Sequence, residues 1–176
     1  MSAMANPIEQ IASKTMGTAH AVKAGFKGLR GVFLHLAEEH GEVGALMSRV
    51  SKSLDPDVRR EHYPQIRSEL LAHERGEVEA VYSVLSQRVE TRDLSRAHNQ
   101  EASQLEYAIA AVDVLDFANP GWGAAFDHLF ALVQQHVTEE EDDFFPRAQA
   151  VIGEDQAKAL LDRYEAAKKS AKQRDH

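Results

Sequence analysis

The chain has 176 residues, of which 43% are hydrophobic, and this size predicts one compact domain with a sizeable core. Its 20 basic and 28 acidic residues give a net charge of −8, which repels nucleic acid and anionic membrane surfaces. It contains no cysteine, so disulfides, thiolate zinc sites, iron–sulfur ligation and a cysteine nucleophile are excluded. We recognise neither a signal peptide nor a membrane-spanning run, and we expect a cytoplasmic protein in which nitrogen and oxygen hold any metal.

The N-terminal segment 8–28 is rich in alanine and lysine, and it predicts a weakly specified helical extension. Gly17, Gly25 and Gly28 each cost a helix about 1 kcal/mol relative to alanine. The lysines beside Phe26 and Leu29 leave two interpretations open. We favour a solvated face over a basic amphipathic segment that contacts a membrane.

From Leu29 onward, apolar residues recur every three or four positions, as in a helix of a bundle. His40 occupies one position of this stripe, whereas His35 lies off it and is expected at the surface. Asp55-Pro56-Asp57 ends the helix, because proline disfavours helical geometry in the residue before it. The stripe consists of Leu29, Phe33, Leu36, His40, Val43, Met47, Val50 and Leu54.

The second helix carries two polar residues in its stripe, His73 and Glu77. They are one helical turn apart, so both side chains can reach one metal ion. Glu74 lies about 100° around the helix from His73, where it is either a surface carboxylate or an additional ligand. His62 lies about 16 Å further along the axis, too far away to share a centre with His73. The other members of this stripe are Ile66, Leu70, Val81 and Val84.

Two more helices repeat this arrangement after a polar break at residues 86–93. In the third helix His98 and Glu101 replace apolar residues of the stripe. Asn119-Pro120-Gly121 separates it from the fourth helix, in which His136 and Glu140 are again four residues apart. Pro146 is predicted to interrupt the fourth helix. A fifth amphipathic helix, over residues 153–171, is predicted to pack against the bundle.

The inward histidines fall at matching heights if the helices run up and down. Residues at one height on neighbouring helices should then be equally distant from the turn between them. The midpoint of His40 and His73 falls in the Asp55-Pro56-Asp57 turn, and that of His98 and His136 lies beside Asn119-Pro120-Gly121. The midpoint of His73 and His98 lies at the leading edge of the polar break, a poorer match.

Inward histidines and glutamates at one level predict a metal centre rather than a hydrogen-bonded polar layer. Buried carboxylates need partners, and an unpaired buried polar group costs several kcal/mol. A pair of divalent cations removes that cost. Nitrogen and oxygen donors without sulfur suit iron, manganese or zinc, so a dinuclear non-haem site is the interpretation that we favour.

The order of these residues across four helices resembles the hemerythrin-like, or HHE cation-binding, family over about residues 30–150. The resemblance implies an all-α fold, an antiparallel up-down four-helix bundle with an additional C-terminal helix, in one domain whose core spans about 29–150. It also implies two iron ions joined by an oxo or hydroxo bridge, with Glu77 and Glu140 as bridging carboxylates. The residues that carry the resemblance are His40, His73-Glu74-x-x-Glu77, His98 and His136-x-x-x-Glu140 followed by Phe144-Phe145-Pro146; the four histidines would be terminal ligands.

The sequence departs from the oxygen-carrying hemerythrins at Ala102, where those proteins have a second histidine of the third helix. This difference argues against plain reversible oxygen carriage. Glu74 is the best substitute, since a His-Glu-x-x-Glu arrangement is used by the iron-sensing hemerythrin-like domain of an F-box ubiquitin ligase subunit. Glu101 is a second candidate, from its position in the stripe.

Three functions remain open on the sequence. The first is a di-iron protein, with manganese or zinc as alternative metals, that binds or reacts with dioxygen, peroxide or nitric oxide within an apolar surround of Phe33, Phe126 and Phe130. The second is a catalase-like or oxidase enzyme at the same centre, with Tyr107 or Tyr63 nearby. The third is a metal-stabilised helical interaction module without redox chemistry, whose protein partner is not identified.

Overall fold

The structure, a computed structural model, describes the backbone of residues 7–174 and the side chains of residues 14–25 and 27–174. Within these residues the fold is entirely helical, with six helices and no strand. Helix α1 is Pro7–Phe26, α2 is Gly31–Ser51 and α4 is Arg92–Asp113. Helix α3, Pro56–Gly76, continues through a π-helical turn, Glu77–Tyr82, to Ser83–Leu85. Helix α5, Trp122–Glu139, continues through a π-helical turn, Glu140–Phe144, to Phe145–Ile152, and α6 is Glu154–Arg174.

The ends of the helices follow from local sequence. Asp55 caps α3 by accepting a hydrogen bond of 2.9 Å from the backbone N–H of Asp57, and Pro56 occupies the first turn. Helix α5 ends at Gly153, whose φ of +81° is a conformation that favours glycine. These signals position the turns from which the matching heights of the histidines were inferred.

Both π-helical turns begin at the glutamate of a His-x-x-x-Glu pair, at Glu77 and at Glu140. A π turn holds one extra residue, so it rotates the buried face of the helix that follows it. In α3, Leu85 is therefore buried and Val84 only partly so, contrary to the uninterrupted stripe. The interruption predicted at Pro146 lies a few residues earlier, because the α-helix gives way to the π turn at Glu140 and resumes at Phe145, with Pro146 in its first turn.

Two hydrophobic cores lie on opposite sides of the layer of predicted metal ligands. We call them the Phe33 core, with Leu36, Val81, Leu94 and Phe145, and the Trp122 core, with Met47, Leu70, Leu105 and Val133. Along each of α2, α3, α4 and α5, the predicted ligands come between residues of one core and residues of the other. Burial of one apolar side chain of this size stabilises the folded state by about 1.5–3 kcal/mol. The two apolar cores can therefore offset the cost of burying the polar layer between them.

The outer helices α1 and α6 approach α2 and α3 closely at two glycines. A Cβ at Gly41 would lie 2.5 Å from the carbonyl oxygen of Met16, and one at Gly76 would lie 2.8 Å from the ring of Tyr164. Larger residues at these positions would push the outer helices away. Gly41 thus lets α1 approach α2, and Gly76 lets α6 bring Tyr164 close to the polar layer.

Lys14 and Lys23 of the N-terminal segment are exposed, in agreement with a solvated face. Lys27 forms an ion pair with Asp142. The Phe26 side chain lies outside the described residues. None of the helices within residues 7–174 is both long enough and apolar enough to cross a membrane.

Candidate metal centre

Seven of the eight predicted ligands form two adjoining groups of buried metal-binding side chains among the residues that the structure describes. Within each group the donor atoms lie within 4.8 Å of one another. Glu77 belongs to both groups. The first group is His40, His73, Glu77 and Glu140, and the second is Glu74, Glu77, His98 and His136.

The four histidines all direct Nε2 toward the interior of these groups. His40 Nε2 lies 3.2 Å from His73 Nε2 in the first group. In the second group, His98 Nε2 lies 3.3 Å from Glu77 Oε2 and His136 Nε2 lies 3.1 Å from Glu74 Oε1. Imidazoles that converge in this way present their lone pairs, when unprotonated, to a common space.

Two carboxylates face both groups. Glu77 Oε2 lies 3.3 Å from His73 Nε2 and also 3.3 Å from His98 Nε2. Glu140 Oε1 lies 3.5 Å from His98 Nε2, while its Oε2 lies 3.3 Å from His40 Nε2 and 3.5 Å from His136 Nε2. Each carboxylate can therefore offer oxygen atoms to two cations at once.

The donor set fits a pair of divalent cations. Four inward atoms are buried and make no hydrogen bond with any residue that the structure describes: Glu74 Oε2, Glu77 Oε1, His136 Nε2 and Glu140 Oε2. Buried polar atoms without partners are costly, and several in one place call for an ion or water. Imidazole and carboxylate donors suit iron, manganese and zinc, and such cations would satisfy these atoms.

Without a cation, protons balance the charges of the groups. Burial opposes the charged form of His73, but the charge of Glu77 and the hydrogen bonds that His73 donates to Glu77 and Glu39 raise the pKa of His73 to about 10. Burial also opposes the charged form of Glu74, but the neighbouring His136 lowers the pKa of Glu74 to about 2. A bound cation would displace the histidine protons, so metal binding must release protons.

Three of the four histidines are held from behind by a carboxylate that contacts Nδ1. Such a partner fixes the orientation of an imidazole and raises its basicity as a ligand. The pairs are His40 with Glu141 at 3.1 Å, His73 with Glu39 at 2.9 Å and His136 with Glu101 at 2.7 Å. Sequence reasoning missed Glu39 and Glu141, because both lie beside the helical stripes and not in them.

Glu101, the eighth predicted ligand, belongs to neither group among the described residues. Its carboxylate lies behind His136, on the Nδ1 side. Glu74 is the acidic residue that faces inward near the third helix, 3.1 Å from His136 Nε2 and 3.6 Å from His98 Nε2. Ala102 is buried and supplies no donor.

Tyr82 and Tyr164 are the tyrosines that contact the centre. Tyr82 donates a hydrogen bond of 2.5 Å to Glu140 Oε1, and its ring stacks on that of His98 with 3.7 Å between centroids. Tyr164 donates a hydrogen bond of 2.5 Å to Glu39 and lies 3.0 Å from His73 Nδ1. Burial and the neighbouring carboxylates hold the pKa of both phenols well above the usual range.

The tyrosines proposed from the sequence lie elsewhere. Tyr107 is 78% exposed, and Tyr63 packs in the Trp122 core, where it hydrogen-bonds to Asp113. That expectation was wrong because the π turn of α3 rotates Tyr82 inward, which an uninterrupted stripe does not predict. The distant position of Tyr164 in the sequence gave no signal.

The sequence also made predictions for residues around the centre. His35 and His62, which were not predicted to be ligands, belong to neither of the two groups in residues 14–174. Phe33 belongs to the Phe33 core, whereas Phe126 and Phe130 belong to or pack against the Trp122 core. Besides Tyr82 on His98, the ring of Phe145 stacks on a candidate ligand, with 5.8 Å between its centroid and that of His40.

Comparisons with known proteins agree with this geometry. The model of the family described as hemerythrin HHE cation binding domain matches residues 22–148. A DNA nickase of Nostoc sp. (strain PCC 7120) is 23% identical over 136 residues, which cover 77% of this chain and 38% of that protein. The chain thus spans less than half the length of this relative. No solved structure matches the chain significantly.

Proposed function

Because this chain belongs to the hemerythrin HHE cation-binding family, we propose that its buried layer holds two iron ions that bind or react with dioxygen, peroxide or nitric oxide. The role would be sensing, storage or scavenging of that small molecule. Manganese and zinc are the alternative metals, since the same donors accept them. The proposal includes the finer arrangement of α2 to α5 as an antiparallel up-down bundle, which brings the four histidines to one level.

One observation carries this proposal: Glu77 is a member of both groups of donors. Two independent mononuclear sites would have no reason to share a carboxylate. A shared carboxylate beside a second one, Glu140, that faces both groups is the arrangement of a dinuclear centre.

The residues around this centre would have two different roles, as ligands and as partners that orient the ligands. His40 and His73 would hold the first cation, and His98, His136 and Glu74 would hold the second. Glu39, Glu101 and Glu141 orient three of the imidazoles from behind. When bound, a pair of iron ions supplies reversible one-electron chemistry and coordination positions for a small ligand.

The second candidate function is a catalase-like or oxidase activity at the same centre. It is favoured by Tyr82, a buried phenol hydrogen-bonded to Glu140, because such a group can hold or move a proton beside a reacting ligand. Peroxide consumption per iron, compared with that of free iron, tests it. A rate no higher than that of free iron contradicts this candidate.

A role on DNA is not part of the proposal. The nickase of Nostoc shares 38% of its length with this chain, so its activity can depend on the part that has no counterpart here. The net charge of −8 also gives the chain no overall attraction for phosphate.

Metal content measured by plasma mass spectrometry on untagged protein tests the proposal, with absorption spectra before and after dithionite and then air. We expect two irons per chain and near-ultraviolet bands that bleach on reduction. The double variant His73→Ala/His136→Ala should lose the metal, and His128→Ala, exposed on α5 and outside both groups, should keep it. Zinc or no metal, without redox-sensitive bands, would contradict the proposal and favour the helical interaction module.

A further inference from the structure

A cavity of about 310 Å³ extends from the rim between α2, α3 and α6 to the candidate centre. Its inner end is lined by His40 and His73 of the first group and by Glu74 and His136 of the second. A molecule in this cavity would therefore have one end beside both cation positions.

The volume is much larger than the proposed small ligands require. Water takes about 30 Å³ per molecule in the liquid, so the cavity has room for roughly ten molecules of that size. A diatomic molecule or peroxide would occupy a small fraction of it. Pockets of this size are typical of sites for small organic molecules.

The walls between the rim and the centre are aliphatic. They are formed by Val43 and Leu46 of α2, Leu70 of α3, and Val133 and Val137 of α5. Contact with these side chains stabilises an apolar molecular body and provides no hydrogen-bonding groups. A ligand that fits has an apolar body and places its polar atom at the inner end.

The rim does not favour an anion. Lys168 contacts Glu39 at 2.8 Å and Glu69 at 3.1 Å, and Lys172 contacts Glu69 at 2.5 Å. Both lysines are thus already paired with carboxylates, and Glu42 adds a further acidic group at the rim. The rim thus carries three carboxylates, those of Glu39, Glu42 and Glu69, against two lysines, so it disfavours the entry of a negatively charged ligand.

We propose that this cavity binds a neutral organic molecule with an apolar body, one oxygen-bearing end and roughly ten non-hydrogen atoms. The inference deepens the proposed function, on which it rests for the role of the centre, by naming a second ligand of the same site. Lys168 and Lys172 belong to α6, outside the part of the chain that the family model matches. The C-terminal helix therefore contributes to the selection of this ligand.

Straight-chain alcohols from butanol to heptanol, titrated calorimetrically into the zinc-loaded full chain, test the inference, since zinc performs no redox chemistry. Affinity should rise about fourfold with each added methylene, as expected for burial of apolar surface. An affinity that does not depend on chain length, or no binding at all, overturns the inference.

Matched variants locate the site. Val43→Phe adds bulk to a partly buried wall residue and should weaken heptanol binding at least tenfold, whereas Leu132→Phe adds the same ring to α5 outside the cavity and should leave it unchanged. If the melting curve of Val43→Phe shows that it does not fold, Leu46→Ala, which enlarges the cavity, should extend the rise in affinity to nonanol. Heptanol affinities that respond equally to Val43→Phe and Leu132→Phe, or no extension in Leu46→Ala, contradict the assignment. Metal content and absorption spectra of the untagged protein, measured before any zinc is added, test the proposed function separately.

Discussion

Tyr82 donates its phenolic hydrogen to Glu140 Oε1 at 2.5 Å, from one π-helical turn to the other. Both residues are fully or almost fully buried, and Glu140 faces both groups of donors. A phenol that donates to a carboxylate withdraws charge from it. Tyr82 therefore influences how strongly Glu140 can bind a cation.

Replacing Tyr82 with phenylalanine removes this hydrogen bond and keeps the ring that stacks on His98. A hydrogen bond to a charged group contributes about 1.5–3 kcal/mol, so we expect a lower free energy of unfolding in the metal-free protein by about that amount. In the iron-loaded protein the near-ultraviolet bands should shift. Chemical denaturation and absorption spectroscopy measure the two effects, and the exposed Tyr107→Phe is the control. Unchanged stability and spectrum in Tyr82→Phe would show that this contact is unimportant.

The two groups of donors predict different metal stoichiometries for two glutamate variants. Glu74→Gln removes a carboxylate from the second group alone, so about one tightly bound metal per chain should remain. Glu77→Gln alters both groups, so both metals should be weakened. Metal content after dialysis distinguishes these outcomes, with the exposed Glu79→Gln of the same helix as control. Two metals retained in Glu77→Gln would contradict a shared carboxylate.

Glu101→Gln separates the two roles that the sequence left open for this residue. As the partner of His136 Nδ1, Glu101 supports an imidazole ligand, and loss of such a partner typically costs 10–100-fold in metal affinity. We expect that decrease with two metals still bound at saturation. Competition with a chelator measures the affinity, and Glu106→Gln, exposed on the same helix, is the control. Loss of one metal at saturation would instead identify Glu101 as a direct ligand.

The metal-free protein should be most stable in mildly acidic solution. The pKa of His73 rises from its ordinary value of 6.5 to about 10 on folding, so its contribution is complete below pH 6.5 and is lost as the pH rises to 10. The pKa of Glu74 falls from 4.5 to about 2, so its contribution is complete above pH 4.5 and is lost as the pH falls to 2. Both contributions are complete between pH 4.5 and 6.5. Thermal melts of the protein freed of metal by a chelator, at pH values within this range and on both sides of it, check the position of the stability maximum.

The stability added by bound metal should increase with pH, because metal ions bind unprotonated imidazole. Removing metal should lower the melting temperature, and the decrease should be larger at pH 8 than at pH 5.5, since binding to the native state adds stability that increases with the logarithm of the affinity. Thermal melts with and without a chelator, at pH 5.5 and at pH 8, measure the decrease in melting temperature. Identical melting curves after complete metal removal would favour a purely structural polar layer.

The sequence was sufficient to predict the polar layer, because helical periodicity and turn signals report on different properties of the chain. The period of the apolar residues placed His40, His73, His98 and His136 on inward faces, and the proline turns related their heights. The fold is all-helical, as predicted. Sequence reasoning worked here because ligands and core residues share the same stripe.

Other parts of the centre could not be predicted, for two physical reasons. No residue pattern marks the π turns that begin at Glu77 and Glu140, so the inward rotation of Tyr82 and Leu85 was missed. Contacts between helices distant in sequence depend on packing. Tyr164 reaches Glu39 and His73 because Gly76 lets α6 approach α3.

The polar layer between the Phe33 core and the Trp122 core divides the interior of the molecule into two apolar halves. Most globular domains are least protected at their frayed ends and most protected in the middle. Here the middle of four helices carries the charges, and each half has an apolar core to hold it together. Without cations, local unfolding should begin at the polar layer and spread toward both ends of the helices. Cations bound in that layer would therefore couple two halves of the fold that otherwise fluctuate independently.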